Sequence, residues 1–149
     1  MKIKVLTKLE RGASLPRSAT PGAAAVDLRA ALEGGTVLIK AGERAIVPTG
    51  LFIAPEPGDG VVAVIAARSG LASKKGICLA NGIGVVDSDY RGEICVALSN
   101  TSDCDFCVRD GDRIAQLMFL PVLAAEFIEA SGLDDTERGT GGFGSTGVK

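Results

Sequence analysis

Histidine is absent from this chain of 149 residues, and so is tryptophan. Without an imidazole, the Ser-His-Asp and Cys-His nucleophilic systems, imidazole metal sites and a histidine general base are all excluded. Proton transfer falls to Asp, Glu, Lys, Cys or the single tyrosine, Tyr90. A dominant charge of either sign is also missing, since 16 basic and 18 acidic residues leave a net charge of −2. A protein that coats nucleic acid is normally basic. No stretch approaches the roughly 20 apolar residues of a membrane-spanning helix. The opening MKIKVLTKLERG lacks the apolar run of a secretory leader. The expectation is a cytoplasmic protein with neither a nucleic-acid nor a membrane partner. There the four cysteines, Cys78, Cys95, Cys104 and Cys107, are expected to be reduced. Cys104 and Cys107 have the spacing of half a zinc site, but the other two cysteines are single and no histidine can join them. In an alternating strand, that spacing also puts the two thiols on opposite faces.

Glycine, by contrast, is plentiful, at 20 residues. Each costs about 1 kcal/mol inside a helix, so a helical bundle has little use for them and a turn-rich β protein does. Apolar residues make up 46% of the chain, enough for one core. Short apolar or alternating runs recur between turn residues. They are Ile3 to Leu9, the AVDLRA run after Pro21-Gly22, Thr36 to Ile39, Arg44 to Ala54 bent at Pro48, Val61 to Ala67, Ile94 to Asn100, Phe106 to Arg109, Arg113 to Pro121 and Ala125 to Ala130. About ten short strands at this spacing predict an all-β sandwich or barrel. Ser69 to Lys75 is the one plausible short helix. Residues 1–133 read as the β domain, and the glycine-rich residues 134–149 as a flexible tail.

Three segments have chemical potential. Arg68-Ser69-Gly70 follows a buried-looking strand and opens the helical turn, where a guanidinium, a hydroxyl and free amides suit phosphate. A capped helix with a solvent-facing arginine is the plain alternative. Asn81 to Glu93 reads as a β-hairpin, with Asp87 to Gly92 as its turn and Ile94 to Val96 returning alongside Ile83 to Val85. Gly82 and Gly84 would let a flat base approach the main chain, Tyr90 would pack on a sugar, and Asp87 is the best general-base candidate. An ordinary hairpin with an acidic turn is the alternative. The tail, Arg138 to Gly147, formally contains G-x-G-x-x-G, but no strand–helix unit surrounds it. Its amides, the Ser145 and Thr146 hydroxyls and Arg138 could wrap a polyphosphate. Phe143 could stack on a base. A passive tail is the alternative.

Taken together in order, these segments resemble the homotrimeric deoxyuridine triphosphatase (dUTPase) family. Its five motifs correspond to AAAVDLRA around Asp27, ARSGLA (67–72), NGIGVVDSDYRGE (81–93), GDRIAQL (111–117) and RGTGGFGSTG (138–147). Val26 departs from the glycine-containing pattern that often precedes the aspartate. The resemblance implies a distorted jelly-roll of short strands with at most one short helix, assembled as a trimer with shared active sites. It implies hydrolysis of dUTP to dUMP and pyrophosphate with Mg²⁺, which lowers dUTP and supplies dUMP for dTTP synthesis. By resemblance, Asp87 activates the attacking water at the α-phosphorus. Asn81 and the backbone around Gly84, Val85, Val86 and Cys95 hold uracil, and Tyr90 lies under the deoxyribose. Arg68, Ser69, Gly70 and Gln116 contact phosphates, and Asp27 helps to position hydrated Mg²⁺. Arg138, Phe143, Gly144, Ser145 and Thr146 belong to a tail that closes a neighbouring subunit's site. Two alternatives are a dCTP deaminase on the same fold, which needs a glutamate aimed at the base, and a nucleotide-sensing trimer without turnover.

Overall fold

A computed structural model describes residues 2–56 and 60–142. It contains eleven strands and one helix: β1 (Val5–Leu9), β2 (Val26–Arg29), β3 (Thr36–Ile39), β4 (Arg44–Pro48), β5 (Leu51–Pro55), β6 (Val61–Ala66), α1 (Ser69–Lys75), β7 (Ile77–Leu79), β8 (Gly84–Val86), β9 (Cys95–Asn100), β10 (Phe106–Arg109) and β11 (Arg113–Pro121). The all-β expectation holds. The strands form antiparallel sheets in the orders β1-β5, β10-β3, β2-β11-β6-β8 and β4-β9-β7. Alternation explains the burial. Leu51, Ile53, Val61, Ala63 and Ile65 turn inward while their neighbours turn out. Leu51, Ile53, Ala63 and Ile65 make one core with Leu28, Ile39, Val47, Val96, Leu98, Val108, Ile114 and Leu117.

Three expectations are corrected. The run Arg44 to Ala54, expected as one bent or edge strand, is two strands, of which β4, ending in Pro48, lies at the edge of its sheet. Gly50 sits at φ +65°, and a Cβ there would strike the Glu10 carbonyl, so the chain reverses at this glycine. The run Ala125 to Ala130 forms no strand, because among the described residues no edge of the same chain pairs with it; Phe127 is 96% exposed. The segment Asn81 to Glu93 is not a hairpin whose arms pair. β8 pairs with β6, through Ile65↔Gly84 and Ala63↔Val86, whereas β9 pairs with β4 and β7. The turn after Val86 thus carries the chain from one sheet to another.

The cysteine pair is also placed differently from a continuous strand. Cys107 lies in β10, but Cys104 precedes it in a bend organised by Asn100. The buried Asn100 amide donates to the Ile39 and Cys104 carbonyls at 3.0 and 2.8 Å, and its oxygen accepts from Ser102.

Candidate active site

Two groups of predicted residues are built by two different parts of the fold. The first is a small slot of about 230 Å³, lined by Ile65, Val85, Val86, Asp87, Tyr90, Glu93, Ile94 and Cys95. β8 is the outer strand of its sheet, so its free edge offers amides and carbonyls to a flat base. Gly84 acts here through packing rather than through ligand approach alone. A Cβ at this position would lie 2.9 Å from Cβ of Ile65, so glycine is what lets β8 lie against β6. Gly82, at φ +74°, makes the turn that enters β8. Asn81 is exposed in this turn, beside the slot rather than in its lining.

Tyr90 lies in the turn after β8, and its hydroxyl donates to the Glu93 carbonyl at 3.2 Å. A Cβ on Gly92 would collide with the phenol, so glycine makes room for the ring. Among the described residues, no hydrogen bond or ion pair engages the Asp87 carboxylate. It is exposed and available to a water. Desolvation at the slot wall pushes the Cys95 thiol above its usual range, against the opposing field of Arg11.

The second group gathers around β11. Gln116 sits opposite Asp27 of β2 on one side and Ala66 of β6 on the other. Its amide donates to the Ala67 carbonyl at 2.9 Å, which points it along the exit of β6. There Arg68 caps α1, and Arg68 Nε lies 2.9 Å from Oδ1 of Asp27. Ser69 and Gly70 are exposed at the start of α1. The first intrahelical amide is that of Ala72, bonded to the Arg68 carbonyl at 3.0 Å. The Ser69, Gly70 and Leu71 amides are therefore left over from the helix ladder. A guanidinium, spare amides and a side-chain amide form an anion grip.

Arg113 is a member of this group that sequence reasoning passed over. Its guanidinium holds Oδ2 of Asp27 at 3.2 Å. It lies in the quoted GDRIAQL run, but only the register irregularity between Arg113 and Ala115 turns it toward Asp27. Asp27, Arg29, Arg113 and Asp110 also border a larger cleft of about 950 Å³ that runs along residues 11–19.

Asp27 fits an outer-shell role toward Mg²⁺. Both its oxygens already face guanidinium groups, and no cluster of three acidic or thiol ligands exists among the described residues. Mg²⁺ characteristically keeps several waters and takes one or two carboxylates together with substrate phosphates. A lone carboxylate beside an anion grip matches that pattern.

The two groups do not meet within one chain. In the antiparallel β6–β8 pair, Asp87 falls one step beyond the Val86↔Ala63 pair, level with Val62. Arg68 lies six residues further along the same strand direction, about 20 Å away at 3.3 Å per residue. Asp27 is three strands across and level with Ala66, again about 20 Å from Asp87. Arg138 lies in a turn of its own, donating to the Gly141 carbonyl at 2.9 Å, and is exposed. Phe143, Gly144, Ser145 and Thr146 lie outside the described residues.

An all-β chain with a base-sized slot on a sheet edge and a separate anion grip has the parts of a nucleotide-binding protein. The dUTPase family model matches residues 11–147, and the chain belongs to that family. It is 54% identical over 149 residues to a deoxyuridine 5'-triphosphate nucleotidohydrolase of Desulfitobacterium hafniense, covering 99% of this chain and 97% of that one. Among solved structures it resembles the Staphylococcus bacteriophage 80alpha dUTPase with dUpNHpp, at a TM-score of 0.86 and 24% identity, covering 97% and 99% of the two chains. It also resembles the dUTPase of phage phi11 of S. aureus, described with a structural Mg(II) ion, at a TM-score of 0.77 and 19% identity, covering 89% and 99%. Both phage enzymes share the fold.

Proposed function

We propose that this dUTPase, a hydrolase that converts dUTP to dUMP and pyrophosphate, works through a site shared between copies of a homotrimer, with Asp87 as general base. The observation that carries the shared site is the separation of Asp87 from Arg68 and Asp27, about 20 Å along and across one sheet. A triphosphate whose base occupies the slot of one chain is served by the anion grip of another. The slot itself is smaller than the 300–1,000 Å³ typical of a complete ligand pocket. The arm after β11 supports the same reading. Leu123, Phe127, Ile128 and Leu133 are all at least 80% exposed, an apolar surface suited to a neighbouring copy.

In this mechanism, uracil pairs with the β8 edge at Gly84, Val85 and Val86, flanked by Asn81 and Cys95. The ring of Tyr90 lies under the deoxyribose and leaves no room for a 2′-hydroxyl. Asp87 takes a proton from water as the water oxygen bonds to the α-phosphorus. The bond from that phosphorus to the α,β-bridging oxygen breaks, and its electron pair leaves with pyrophosphate. Arg68, the Ser69 and Gly70 amides and Gln116 hold the phosphate oxygens. Asp27, through a water, would hold Mg²⁺, which when bound neutralises phosphate charge. Arg138, Phe143, Gly144, Ser145 and Thr146 belong to the closing tail, which supplies a guanidinium and excludes bulk water.

The test is pyrophosphate release from dUTP, dTTP, dCTP and UTP, with Asp87→Asn alongside. Selective release from dUTP is expected, and the variant should lose about 10²–10⁴ in turnover while still binding dUTP. Ammonia from dCTP would support a deaminase instead. Nucleotide binding without pyrophosphate would support a sensing trimer.

A further inference from the structure

Three distant stretches of chain converge beneath the slot. The first is the turn after β1, where Arg11 adopts a left-handed conformation at φ 48°. The second is the reversal between β4 and β5 at Thr49-Gly50. The third is the entry to β9 at Glu93-Ile94. Main-chain and hydroxyl bonds tie the last two together. The Ile94 amide donates to the Leu51 carbonyl at 2.8 Å, and the buried Thr49 hydroxyl donates to the Ile94 carbonyl at 2.5 Å. The Glu10 amide ties in the first by donating to the Gly50 carbonyl at 2.8 Å.

Among the described residues, Glu93 is the one side chain that joins all three. Its Oε1 accepts from the Gly50 amide at 2.7 Å and from the Arg11 guanidinium. Both charged groups are mostly withdrawn from water, with 27% and 19% of their side chains exposed. Among the described residues, Arg11 Nε is buried without a partner, and the guanidinium's ion-pair partner is the Glu93 carboxylate. Removing either partner leaves the other charge half-buried and uncompensated. On its backbone side, the same Glu93 offers the carbonyl that receives the Tyr90 hydroxyl. The residue is therefore pinned by its side chain and is itself the pin for the phenol.

Resting on the reading of Tyr90 as the sugar platform, we infer that Glu93, held by Arg11, is a positioning residue that sets where the Tyr90 ring stands and so how strongly a 2′-hydroxyl is rejected. Glu93 does not touch the reacting atoms. It anchors the acceptor of the phenol, and a carbonyl free to shift lets the ring move away from the sugar. Discrimination between dUTP and UTP depends on that ring position, whereas the chemical step at Asp87 does not. The signature is therefore a change in substrate ratio with a smaller change in turnover of dUTP.

The chain supplies its own probe, because Tyr90 is the only tyrosine and tryptophan is absent. Emission excited at the red edge of the phenol band, where the phenylalanines do not absorb, thus reports on Tyr90. Glu93→Ala is expected to raise kcat/KM for UTP relative to dUTP by roughly tenfold, and to raise the quenching of Tyr90 emission by acrylamide. Glu93→Gln, whose amide oxygen still accepts from both the Gly50 amide and the Arg11 guanidinium, is expected to recover most of both. A folded Glu93→Ala enzyme with the wild-type ratio and wild-type quenching overturns the inference. Should Glu93→Ala not fold, Arg11→Gln decides in its place, since it removes the cation and leaves the Gly50 bond. Wild-type ratio and quenching in that variant overturn the inference equally. A wild-type enzyme that hydrolyses UTP as readily as dUTP would instead overturn the role of Tyr90, a different and recognisable failure.

Discussion

Arg68 rests on Asp27, Nε to Oδ1 at 2.9 Å, while Arg113 holds the other carboxylate oxygen at 3.2 Å. One acid is thus shared between two cations at the exit of β6, and the anion grip is only partly neutralised by Asp27. In the proposed mechanism an incoming triphosphate would compete with Asp27 for Arg68, and the carboxylate would then be free to order hydrated metal.

Asp27→Asn is therefore expected to act in two directions. Without Mg²⁺, a non-hydrolysable dUTP analogue should bind more tightly, because Arg68 and Arg113 lose their internal counter-charge. With Mg²⁺, half-maximal turnover should need roughly tenfold more metal, the usual size of an outer-shell loss. Calorimetry in chelator and a Mg²⁺ titration of turnover measure the two arms. Parallel weakening in both would assign Asp27 to the framework alone.

Gly84→Ala is expected to destabilise the protein by about 1–3 kcal/mol, since its Cβ would sit 2.9 Å from Cβ of Ile65. The strain falls on the β6–β8 pairing, so the slot should suffer with the fold. Thermal unfolding should show a lower midpoint, and KM for dUTP should rise. A midpoint equal to that of the wild type would mean that β8 moves off β6 without cost.

Desolvation at the slot wall pushes the Cys95 thiol above its usual range, with Arg11 pulling the other way. A raised thiol pKa means less thiolate at a given pH, so alkylation of Cys95 in the folded protein should turn on at higher pH than in the unfolded chain. Bound nucleotide should slow it further, because Cys95 lines the slot. Peptide-resolved mass spectrometry separates Cys95 from Cys78, Cys104 and Cys107. Equal rates for folded and unfolded chain would contradict the desolvation.

Truncation after Asp135 is expected to leave a folded assembly, since among the described residues the last strand ends at Pro121 and no core residue lies beyond it. Turnover should fall by roughly 10³ or more if Arg138 acts like an arginine finger. Mixed with full-length Asp87→Asn after subunit exchange, the truncated chain should regain partial activity. One chain then supplies Asp87 and another the tail. No recovery after confirmed exchange would mean that each site is built within one chain.

What the amino-acid order determined alone was local. Alternating runs and turn residues marked nearly every strand, because burial on one face imposes a period of two wherever the strand ends up. The motif runs singled out Asp27, Arg68, Asp87, Tyr90 and Gln116 through their resemblance to a family's pattern. Pairing was decided only in three dimensions. A period of two says which face of β8 is buried but not whether its neighbour is β9 or β6, and the closure of the whole sheet chose β6. The same closure put Arg113 against Asp27 and brought Arg11, Gly50 and Glu93 together. Partners 82 and 43 positions apart in Arg11–Glu93 and Gly50–Glu93 leave no local pattern to read. It also put Asp87 and Arg68 at opposite ends of one strand pair, a distance that no spacing along the chain reveals.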